Sequence, residues 1–372
     1  MIKVLFLIHD LGQGGAEKVL VNLVNNMDLT KFEITVIALF GGGVNEQFLR
    51  PEIKYHTIFS KMFPGNSHIM KIFSPELLHK WFIKDKYDIE ISYLEGPTAR
   101  IISGCGNPNT KLVAWIHCTM NSSKDIGGSF RNIDEAEVCY NAMDKMVFVS
   151  EGVRRAFIEN CHYKGKTTVL YNTVESDKIL KMSQEDVTEI IKDTIGIIAV
   201  GTLKPVKGFD RLLRVVKNLY DEGYPIHLYL LGVGPQKKEL EQYISDNFLA
   251  NVISLLGYKT NPYKYVAKCS LFVCSSFSEG FSTAVTEALI VGTPVCTVDV
   301  SGMKEMLGNN NEFGLITHND EESLYSGMKM LLDEPELLQH YKKQAIIRGE
   351  LFKTKQTVND VEKMILKLVK EE

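Results

Sequence analysis

The 372-residue sequence contains no Asp-x-Asp triplet, no Cys-x-x-Cys pair and no apolar run long enough to cross a membrane. The missing triplet removes the usual divalent-metal clamp for a diphosphate, so no metal site is predicted. Without paired cysteines, the seven scattered thiols are expected to be buried and reduced, as in a cytoplasmic protein. The opening "MIKVLFLIHD" lacks a signal-peptide cleavage pattern and predicts a first strand.

A basic excess is also absent, since 42 Lys and Arg stand against 46 Asp and Glu, giving a net charge of −4. Nucleic-acid binders concentrate positive charge on one surface, so nucleic acid is not an expected partner. The chain is 45% hydrophobic and 24% charged, which is typical of globular proteins, and its length fits two domains.

Short runs rich in Val and Ile alternate with amphipathic or capped segments. Runs buried on both faces and separated by helices are typical of parallel sheets, so the pattern predicts α/β, doubly wound domains. Strands of a first series are predicted at Val4–His9, Ile34–Phe40, Ile89–Leu94, Leu112–His117, Met146–Ser150 and near Val169–Asn172. A second series is predicted at Ile195–Leu203, Ile226–Gly232, Val252–Gly257, Leu271–Ser276 and Pro294–Val300.

The polar segment Ser183–Asp193 separates the two series. We therefore predict a Rossmann-like domain over residues 1–180, a second over 181–350, and a closing helix over 351–372 that could pack back on the first domain. Ligands of such sheets bind at the carboxyl ends of the strands. With two facing sheets, the expected site is the cleft between them.

The segment "FSEGFSTAVTEALIVGTPV", residues 277–295, carries the strongest functional signal. Ser282 stands where the N-cap of a helix belongs, and the first-turn amides of that helix would form an anion site. Glu279 and Glu287 flank this position and can accept hydrogen bonds from vicinal hydroxyls. An anion site beside two hydroxyl acceptors suits a nucleotide sugar. The alternative is a plain N-cap with a solvated glutamate.

This segment resembles the signature of retaining glycosyltransferase family four, in which two glutamates separated by seven residues mark the donor site. Further stretches are similar to the family pattern in the same order: "GGAEKVLVNL", "VSEGVRRAF", "LYNTV", "VGTLKPVKGFDRLL", "LLGVGP" and "LGYKTNPYKYVAKCSLFV". The resemblance is strong after residue 195 and loose between 40 and 110. It implies the GT-B fold, with two facing Rossmann-like domains, and metal-independent transfer from a nucleotide sugar with retention.

The resemblance also implies roles for residues of the second domain. Glu287 is expected to bind the ribose hydroxyls, Glu279 the sugar hydroxyls, and Lys207 the diphosphate that leaves. A solvated lysine before a helix is the alternative for Lys207. The implied donor-binding set is Gly15, Thr202, Lys204, Lys207, Gly257, Tyr258, Glu279, Gly280, Phe281, Ser282, Thr283 and Glu287.

One departure from the family pattern concerns the diphosphate. The family usually has an Arg at the position of Thr202, so this chain lacks the second cation. Either Lys204 supplies that charge, or Lys207 and helix amides hold the diphosphate alone.

In the first domain, His117 ends a predicted strand where family members place an active-site histidine. The catalytic set implied by the resemblance is therefore His117, Lys207 and Glu279, although a half-buried structural histidine is an alternative for the first. The acceptor-side set is Gly14, His9, Asp10 and Glu95. A tight strand–helix turn would explain the Gly14–Gly15 pair equally well.

The segment 61–86 interleaves five lysines with aromatic residues. This composition fits a surface that meets anionic lipid on the inner leaflet of a membrane, and it equally fits an amphipathic helix packed on the sheet.

We expect a hexosyltransferase that moves a hexose or N-acetylhexosamine from a nucleotide sugar, with a UDP-sugar favoured and no cofactor. The acceptor is expected to be a glycan or a polyprenyl-diphosphate-linked oligosaccharide of bacterial surface polysaccharide synthesis, such as capsule, exopolysaccharide or O-antigen. The expected location is the cytoplasm, with peripheral attachment to the membrane where the acceptor is lipid-linked. The alternatives are a nucleotide-sugar 2-epimerase of the same architecture and a non-catalytic glycosyltransferase subunit.

Overall fold

A computed structural model describes residues 1–190 and 193–370 and divides into two compact units. The first unit comprises Met1–Val174 and Thr354–Glu372, and the second comprises Glu175–Lys353. The predicted boundary at 180 falls inside a helix, Ser176–Ser183, that lies wholly in the second unit. The predicted polar segment includes residues 191 and 192, and the predicted closing helix includes 371 and 372, all four outside the described residues.

The first unit is built on a seven-stranded parallel sheet with the order β3-β2-β1-β4-β5-β6-β7. Its strands are β1 (Ile2–Ile8), β2 (Phe32–Phe40), β3 (Lys54–Phe59), β4 (Ile89–Ser92), β5 (Lys111–Ile116), β6 (Lys145–Phe148) and β7 (Lys166–Val169). Its helices before residue 174 are α1 (Gly15–Asn26), α2 (Asn66–Ile72), α3 (Pro75–Phe82), α4 (Pro97–Ile102), α5 (Ser123–Gly127), α6 (Ile133–Asn141) and α7 (Glu151–Asn160).

The second unit is built on a six-stranded parallel sheet with the order β10-β9-β8-β11-β12-β13. Its strands are β8 (Ile195–Val200), β9 (Ile226–Leu231), β10 (Ile253–Gly257), β11 (Leu271–Cys274), β12 (Val295–Val298) and β13 (Leu315–Thr317). Its helices are α8 (Ser176–Ser183), α9 (Phe209–Asp221), α10 (Lys237–Asp246), α11 (Tyr263–Lys268), α12 (Thr283–Ile290), α13 (Met303–Leu307), α14 (Glu321–Asp333) and α15 (Pro335–Gly349).

The last helix, α16 (Thr354–Lys370), belongs to the first unit although it follows the second along the chain. It packs on α1, and the carboxylate of Glu362 accepts a hydrogen bond from the Asp28 amide at 2.7 Å. Its buried face is apolar and includes Val361 and Ile365.

The two parallel sheets with intervening helices confirm the predicted α/β class. Two strands were not predicted. The edge strand β3 is only partly buried and β13 has three residues, so neither produces a long apolar run.

The strand order places the predicted site residues. In each sheet the order reverses beside the first strand, between β1 and β4 and between β8 and β11. Such a switch point leaves a crevice at the carboxyl ends of the strands, where ligands of open α/β sheets bind. Asp10 and Glu95 follow β1 and β4, while Thr202 and Glu279 follow β8 and β11.

Candidate functional site

Lys207 and Glu279, the residues predicted for the diphosphate and the sugar, are in direct contact. Nζ of Lys207 lies 2.6 Å from Oε1 of Glu279, and Ser276 Oγ donates to the same oxygen at 2.6 Å. Lys207 ends a short 3₁₀ helix after β8, and Glu279 follows β11, the neighbouring strand. The side chains are 28% and 11% exposed, so a ligand can reach the pair. Lys207 is therefore not a freely solvated lysine.

The backbone around this pair is joined across the two strands. The Phe277 amide donates to the Val206 carbonyl at 2.8 Å, and Ser275 Oγ donates to the Lys207 carbonyl at 3.0 Å. Gly208 has a φ of +61°, and a Cβ there would lie 2.2 Å from the Ser275 carbonyl oxygen. Glycine is required at 208 because any side chain would push the two loops apart.

Arg211 on α9 anchors the same loop, and the sequence analysis did not single it out. Its buried guanidinium donates to the Ser275 carbonyl at 2.6 and 2.8 Å and to the Ser276 carbonyl at 3.0 Å. It also donates to Asn319 Oδ1 at 2.8 Å, and its Cζ lies 4.0 Å from the centre of the Phe277 ring. Burial lowers the pKa of Arg211, but a guanidinium stays charged at any physiological pH. A buried cation thus fixes the segment that presents Glu279.

Glu287 lies one turn into α12 and is only 9% exposed. The hydroxyl of Tyr263, on α11, donates to its Oε1 at 3.2 Å. Ser282 is the N-cap of α12, as predicted, and its side chain accepts a hydrogen bond from the Val285 amide at 3.4 Å. Because its carboxylate is buried and oriented, Glu287 is not a solvated helix residue.

The remaining donor-set residues of this unit lie at the same edge of the sheet. Gly280 to Thr283 lead into α12, and the Phe281 side chain is buried against Phe352, with ring centres 5.9 Å apart. Thr202 and Lys204 are exposed in the turn after β8. Gly257 ends β10 and the exposed Tyr258 follows it. Two strands separate β10 from β11, so these two residues lie farthest from the Lys207–Glu279 pair along the sheet.

In the first unit, His9 and Asp10 form a pair at the carboxyl end of β1. Nδ1 of His9 lies 2.6 Å from Oδ2 of Asp10, and the Gly12 amide donates to Oδ1 at 2.7 Å. The hydrogen bond with His9 lowers the pKa of Asp10, and the hydrogen bond from the Gly12 amide lowers it further. Partial burial acts in the opposite direction, but the pKa of Asp10 stays below its usual value. Asp10 therefore remains ionised.

The Gly14–Gly15 loop is shaped by Glu17. A Cβ on Gly14, the N-cap of α1, would lie 1.9 Å from Oε2 of Glu17, because that carboxylate folds over the loop. Burial raises the pKa of Glu17, and the charges of Asp10 and Glu95 raise it further. A Cβ on Gly15 would meet open space. Asp10, Glu17 and Glu95 thus form one electrostatic cluster at the ends of β1 and β4.

His117 directly follows β5, and its backbone amide donates to Oε2 of Glu95 at 3.0 Å. Its ring is buried between Tyr93 and Trp115, with ring centres 4.7 and 6.0 Å away. Burial lowers the pKa of His117 to about 3, so the imidazole is neutral. Its Nε2 has no hydrogen-bond partner within the described structure, which distinguishes it from a satisfied core histidine.

The basic and aromatic segment 61–86 forms α2 and α3. Phe63 and Phe82 pack against Phe59 of β3, with ring centres 5.3 and 5.7 Å away. The exposed apolar residues of the segment are Met62, Ile69, Ile72 and Trp81. The segment therefore combines packing on the sheet with an exposed apolar face.

Two parallel-sheet units, with a cation, two carboxylates and a helix N-terminus at the switch point of the second sheet, form the arrangement expected of a nucleotide-sugar-dependent enzyme. A family model described as "Glycosyltransferase Family 4" matches residues 13–178, and one described as "Glycosyl transferases group 1" matches residues 181–348. A Campylobacter jejuni protein is 30% identical over 383 aligned positions, covering 98% of this chain and 100% of the relative. The chain belongs to this glycosyltransferase family.

That relative is named N-acetylgalactosamine-N,N'-diacetylbacillosaminyl-diphospho-undecaprenol 4-alpha-N-acetylgalactosaminyltransferase. Among solved structures, Anabaena HepE in complex with UDP and glucose aligns with a TM-score of 0.77 and 18% identity, covering 98% of this chain and 100% of HepE. The lipopolysaccharide outer core galactosyltransferase WaaB aligns with a TM-score of 0.73 and 17% identity, covering 98% and 99% of the two chains. These structures show that the fold is GT-B.

Proposed function

We propose that the protein is a retaining, metal-independent transferase that moves a hexose or N-acetylhexosamine from a UDP-sugar to a glycan or a polyprenyl-diphosphate-linked acceptor. The contact between Lys207 and Glu279, together with the buried Glu287 one turn into α12, carries this proposal. Lys207 would stabilise the charge that develops on the leaving diphosphate. Glu279 would orient the sugar, and Glu287 would accept hydrogen bonds from the ribose.

The environment of Glu279 supports a mechanism without a protein nucleophile. Its Oε1 already accepts hydrogen bonds from Lys207 and Ser276, which reduces its tendency to attack a carbon atom. The acceptor oxygen would bond to the anomeric carbon on the face from which the diphosphate leaves. The acceptor proton would pass to the departing phosphate oxygen. Neutral His117 would act as a hydrogen-bond partner for the donor sugar, since it carries no charge.

The names of similar proteins support the choice of donor and linkage. The Campylobacter relative is named for an alpha-linked N-acetylgalactosaminyl product on a diphospho-undecaprenol acceptor. Retaining transfer from an alpha-linked donor produces an alpha linkage. HepE is described in complexes with UDP and with UDP-glucose.

Lys204, exposed two residues after Thr202, is the proposed second cation for the diphosphate.

Incubation with UDP-GlcNAc, UDP-GalNAc and UDP-glucose, with and without a polyprenyl-diphosphate oligosaccharide, tests the proposal. We expect an alpha-linked product by NMR only when acceptor is present, and unchanged rates in excess EDTA. Formation of an epimer without acceptor would favour the 2-epimerase. No turnover of any donor would favour the non-catalytic subunit, and a rate restored only by Mn²⁺ or Mg²⁺ would contradict metal independence.

A lipid-linked acceptor suggests that the segment 61–86 meets the cytoplasmic face of a membrane. No helix within residues 1–190 and 193–370 is long and apolar enough to span a bilayer. The exposed apolar residues of α2 and α3 stand among lysines, which favours a surface that inserts shallowly into anionic lipid.

Sedimentation with anionic and neutral vesicles tests this surface. Ile72→Glu should weaken binding to anionic vesicles. Val138→Glu, at an apolar residue that is equally 71% exposed on the same unit, should not. Equal binding of the two variants would contradict a membrane role for the segment.

A further inference from the structure

Three side chains with metal-ligating atoms meet in the first unit, away from every residue assigned to sugar transfer. They are His79 on α3, Glu90 on β4 and Cys105, which follows α4. Nε2 of His79 lies 2.7 Å from Oε2 of Glu90, and Sγ of Cys105 lies 3.8 Å from Oε1. One ligand atom from each lies within 4.8 Å of the others, and the described part of the chain contains no second group of this kind.

A buried carboxylate in a central strand requires compensation, and Glu90 is only 2% exposed. His79 supplies it. Burial alone would lower the pKa of His79, but hydrogen bonds with Cys105 and Glu90 outweigh burial and raise this pKa to about 9. The ion pair accounts for His79 and Glu90. It does not account for a thiol at the second carboxylate oxygen, because a thiol is a weak hydrogen-bond donor.

We propose that His79, Glu90 and Cys105 form a site for a transition-metal ion, with Zn²⁺ the best fit. Zinc accepts nitrogen, oxygen and thiolate ligands together, whereas Mg²⁺ and Ca²⁺ take oxygen ligands. Zinc–ligand bonds of about 2.0–2.3 Å place tetrahedral ligands roughly 3.3–3.8 Å apart. The two contacts in the structure, 2.7 Å from His79 to Glu90 and 3.8 Å from Cys105 to Glu90, lie close to that range, and all three ligand atoms lie within 4.8 Å of one another, so small side-chain rotations suffice.

A zinc ion would be held by the carboxylate, a neutral imidazole nitrogen and a thiolate, the forms in which these side chains bind metal. Any proton that a ligand carries beforehand would be released to solvent as the metal binds. Water would fill the fourth position, through the partly exposed side of His79.

The position of the cluster indicates a stabilising role. Glu90 pairs with Leu112, near the start of β5, whereas His117 directly follows the end of β5. Five residues of strand separate these positions by about 16 Å. The cluster therefore lies at the amino-terminal edge of the sheet and joins α3, β4 and the end of α4, opposite the predicted acceptor-side residues.

Titration of the EDTA-treated, full-length protein with Co²⁺ tests the site. We expect one equivalent to bind and to produce a thiolate-to-cobalt charge-transfer band in the near ultraviolet, which Zn²⁺ then abolishes. Cys105→Ser should remove the band. Cys118→Ser should retain it and is the matched control, because Cys118 is the exposed cysteine and would capture metal nonspecifically.

Thermal unfolding provides the second measurement, since a ligand that binds the folded state raises its stability. Zn²⁺ should raise the melting temperature of the native sequence and of Cys118→Ser, and not that of His79→Gln. A band that disappears in Cys118→Ser, or the absence of any band in the folded native protein, would overturn the proposal. Loss of folding in a variant would leave the native-protein titration to decide.

Discussion

The side chains predicted for the site are paired to different extents at the carboxyl edges of the two sheets. In the second unit, Lys207 and Glu279 contact each other. Arg211 fixes the loop that connects β11 to Glu279 by donating to the Ser275 carbonyl. In the first unit, His117 Nε2 and the neighbouring Trp115 Nε1 are buried without hydrogen-bond partners within the described structure. Buried polar atoms are normally satisfied. Gln236 Oε1, after β9 of the second unit, is also buried without a partner within the described structure, but Gln236 is not a predicted site residue. The predicted side chains of the second unit are thus oriented by other groups of the protein, whereas His117 of the first unit carries a polar atom that no described residue pairs.

The largest expected effect comes from breaking the paired edge at its cation. Lys207→Ala should lower kcat by roughly 10²-fold or more, the scale of one lost stabiliser of transition-state charge. Lys217→Ala is the matched control, since Lys217 on α9 pairs with Asp221 at the surface and should be dispensable. Steady-state kinetics of both variants measures the effect. A Lys207→Ala enzyme with near-native kcat would mean that helix amides or Lys204 hold the diphosphate alone.

The next effect separates the two glutamates. If Glu287 binds ribose, Glu287→Gln should weaken UDP binding by about 1.5–3 kcal/mol, or roughly ten- to hundred-fold, because a charge-assisted hydrogen bond is lost. Glu279→Gln should leave UDP affinity nearly unchanged while transfer falls sharply, since Glu279 is proposed to touch only the sugar. Calorimetric titration with UDP, beside a transfer assay, measures both. Equal losses of UDP affinity would refute this division of roles.

Arg211 allows a smaller change on the same edge. Lysine keeps the charge at 211 but cannot reproduce the planar fork that donates to the Ser275 and Ser276 carbonyls. Arg211→Lys should lower kcat/KM about tenfold through misplacement of Glu279, a misplacement worth about 1.4 kcal/mol.

Two comparisons separate this positioning role from general destabilisation. UDP affinity should be preserved in Arg211→Lys, because Glu287 lies on α12 and is held by Tyr263. Arg214→Lys, at a half-exposed arginine of the same helix that pairs with Asp210 and Glu321, should change neither quantity. A parallel loss of UDP binding in Arg211→Lys would show that Arg211 only supports the fold.

These residues also show what the sequence could predict. Glu279 and Glu287 could be proposed from the sequence because their spacing around a helix N-cap is a local pattern, and long apolar runs predicted most strands. Arg211 was missed because an arginine in an amphipathic helix resembles a surface residue. Its role depends on carbonyl groups 64 and 65 positions away along the chain. The His79–Glu90–Cys105 cluster was missed for the same reason, since three separate elements bring it together.

His117 illustrates a second limit of prediction from the sequence. The end of a strand predicts its place but not its environment, which comes from Tyr93 on the neighbouring loop and Trp115 on its own strand. Whether a histidine is neutral or charged depends on that burial, and no local pattern in the sequence reports it.

The last prediction uses the charge state of His117 to test the unpaired edge. Its pKa is lowered from 6.5 to about 3 by burial, so between these pH values the unfolded histidine binds a proton that the folded one does not. Stability is therefore lost as pH falls below 6.5. One such group should contribute about 1.4 kcal/mol to the loss between pH 7.5 and pH 5.5. His117→Phe, which keeps an aromatic ring against Tyr93, should reduce the loss by that amount.

Urea unfolding at the two pH values, followed by tryptophan fluorescence, measures this difference. Both tryptophans, Trp81 and Trp115, lie in the first unit, so the signal reports the unit that contains His117. Other titrating groups, including His79, contribute equally to both proteins and cancel when the pH-dependent losses are subtracted. His68→Phe, at an exposed histidine of the same unit, should leave the loss nearly unchanged. If His117→Phe and the native protein lost stability equally, the imidazole would be reached by solvent. The contrast between the two edges would then rest on Trp115 Nε1 and the Tyr93 hydroxyl, which are also buried without a hydrogen-bond partner within the described structure.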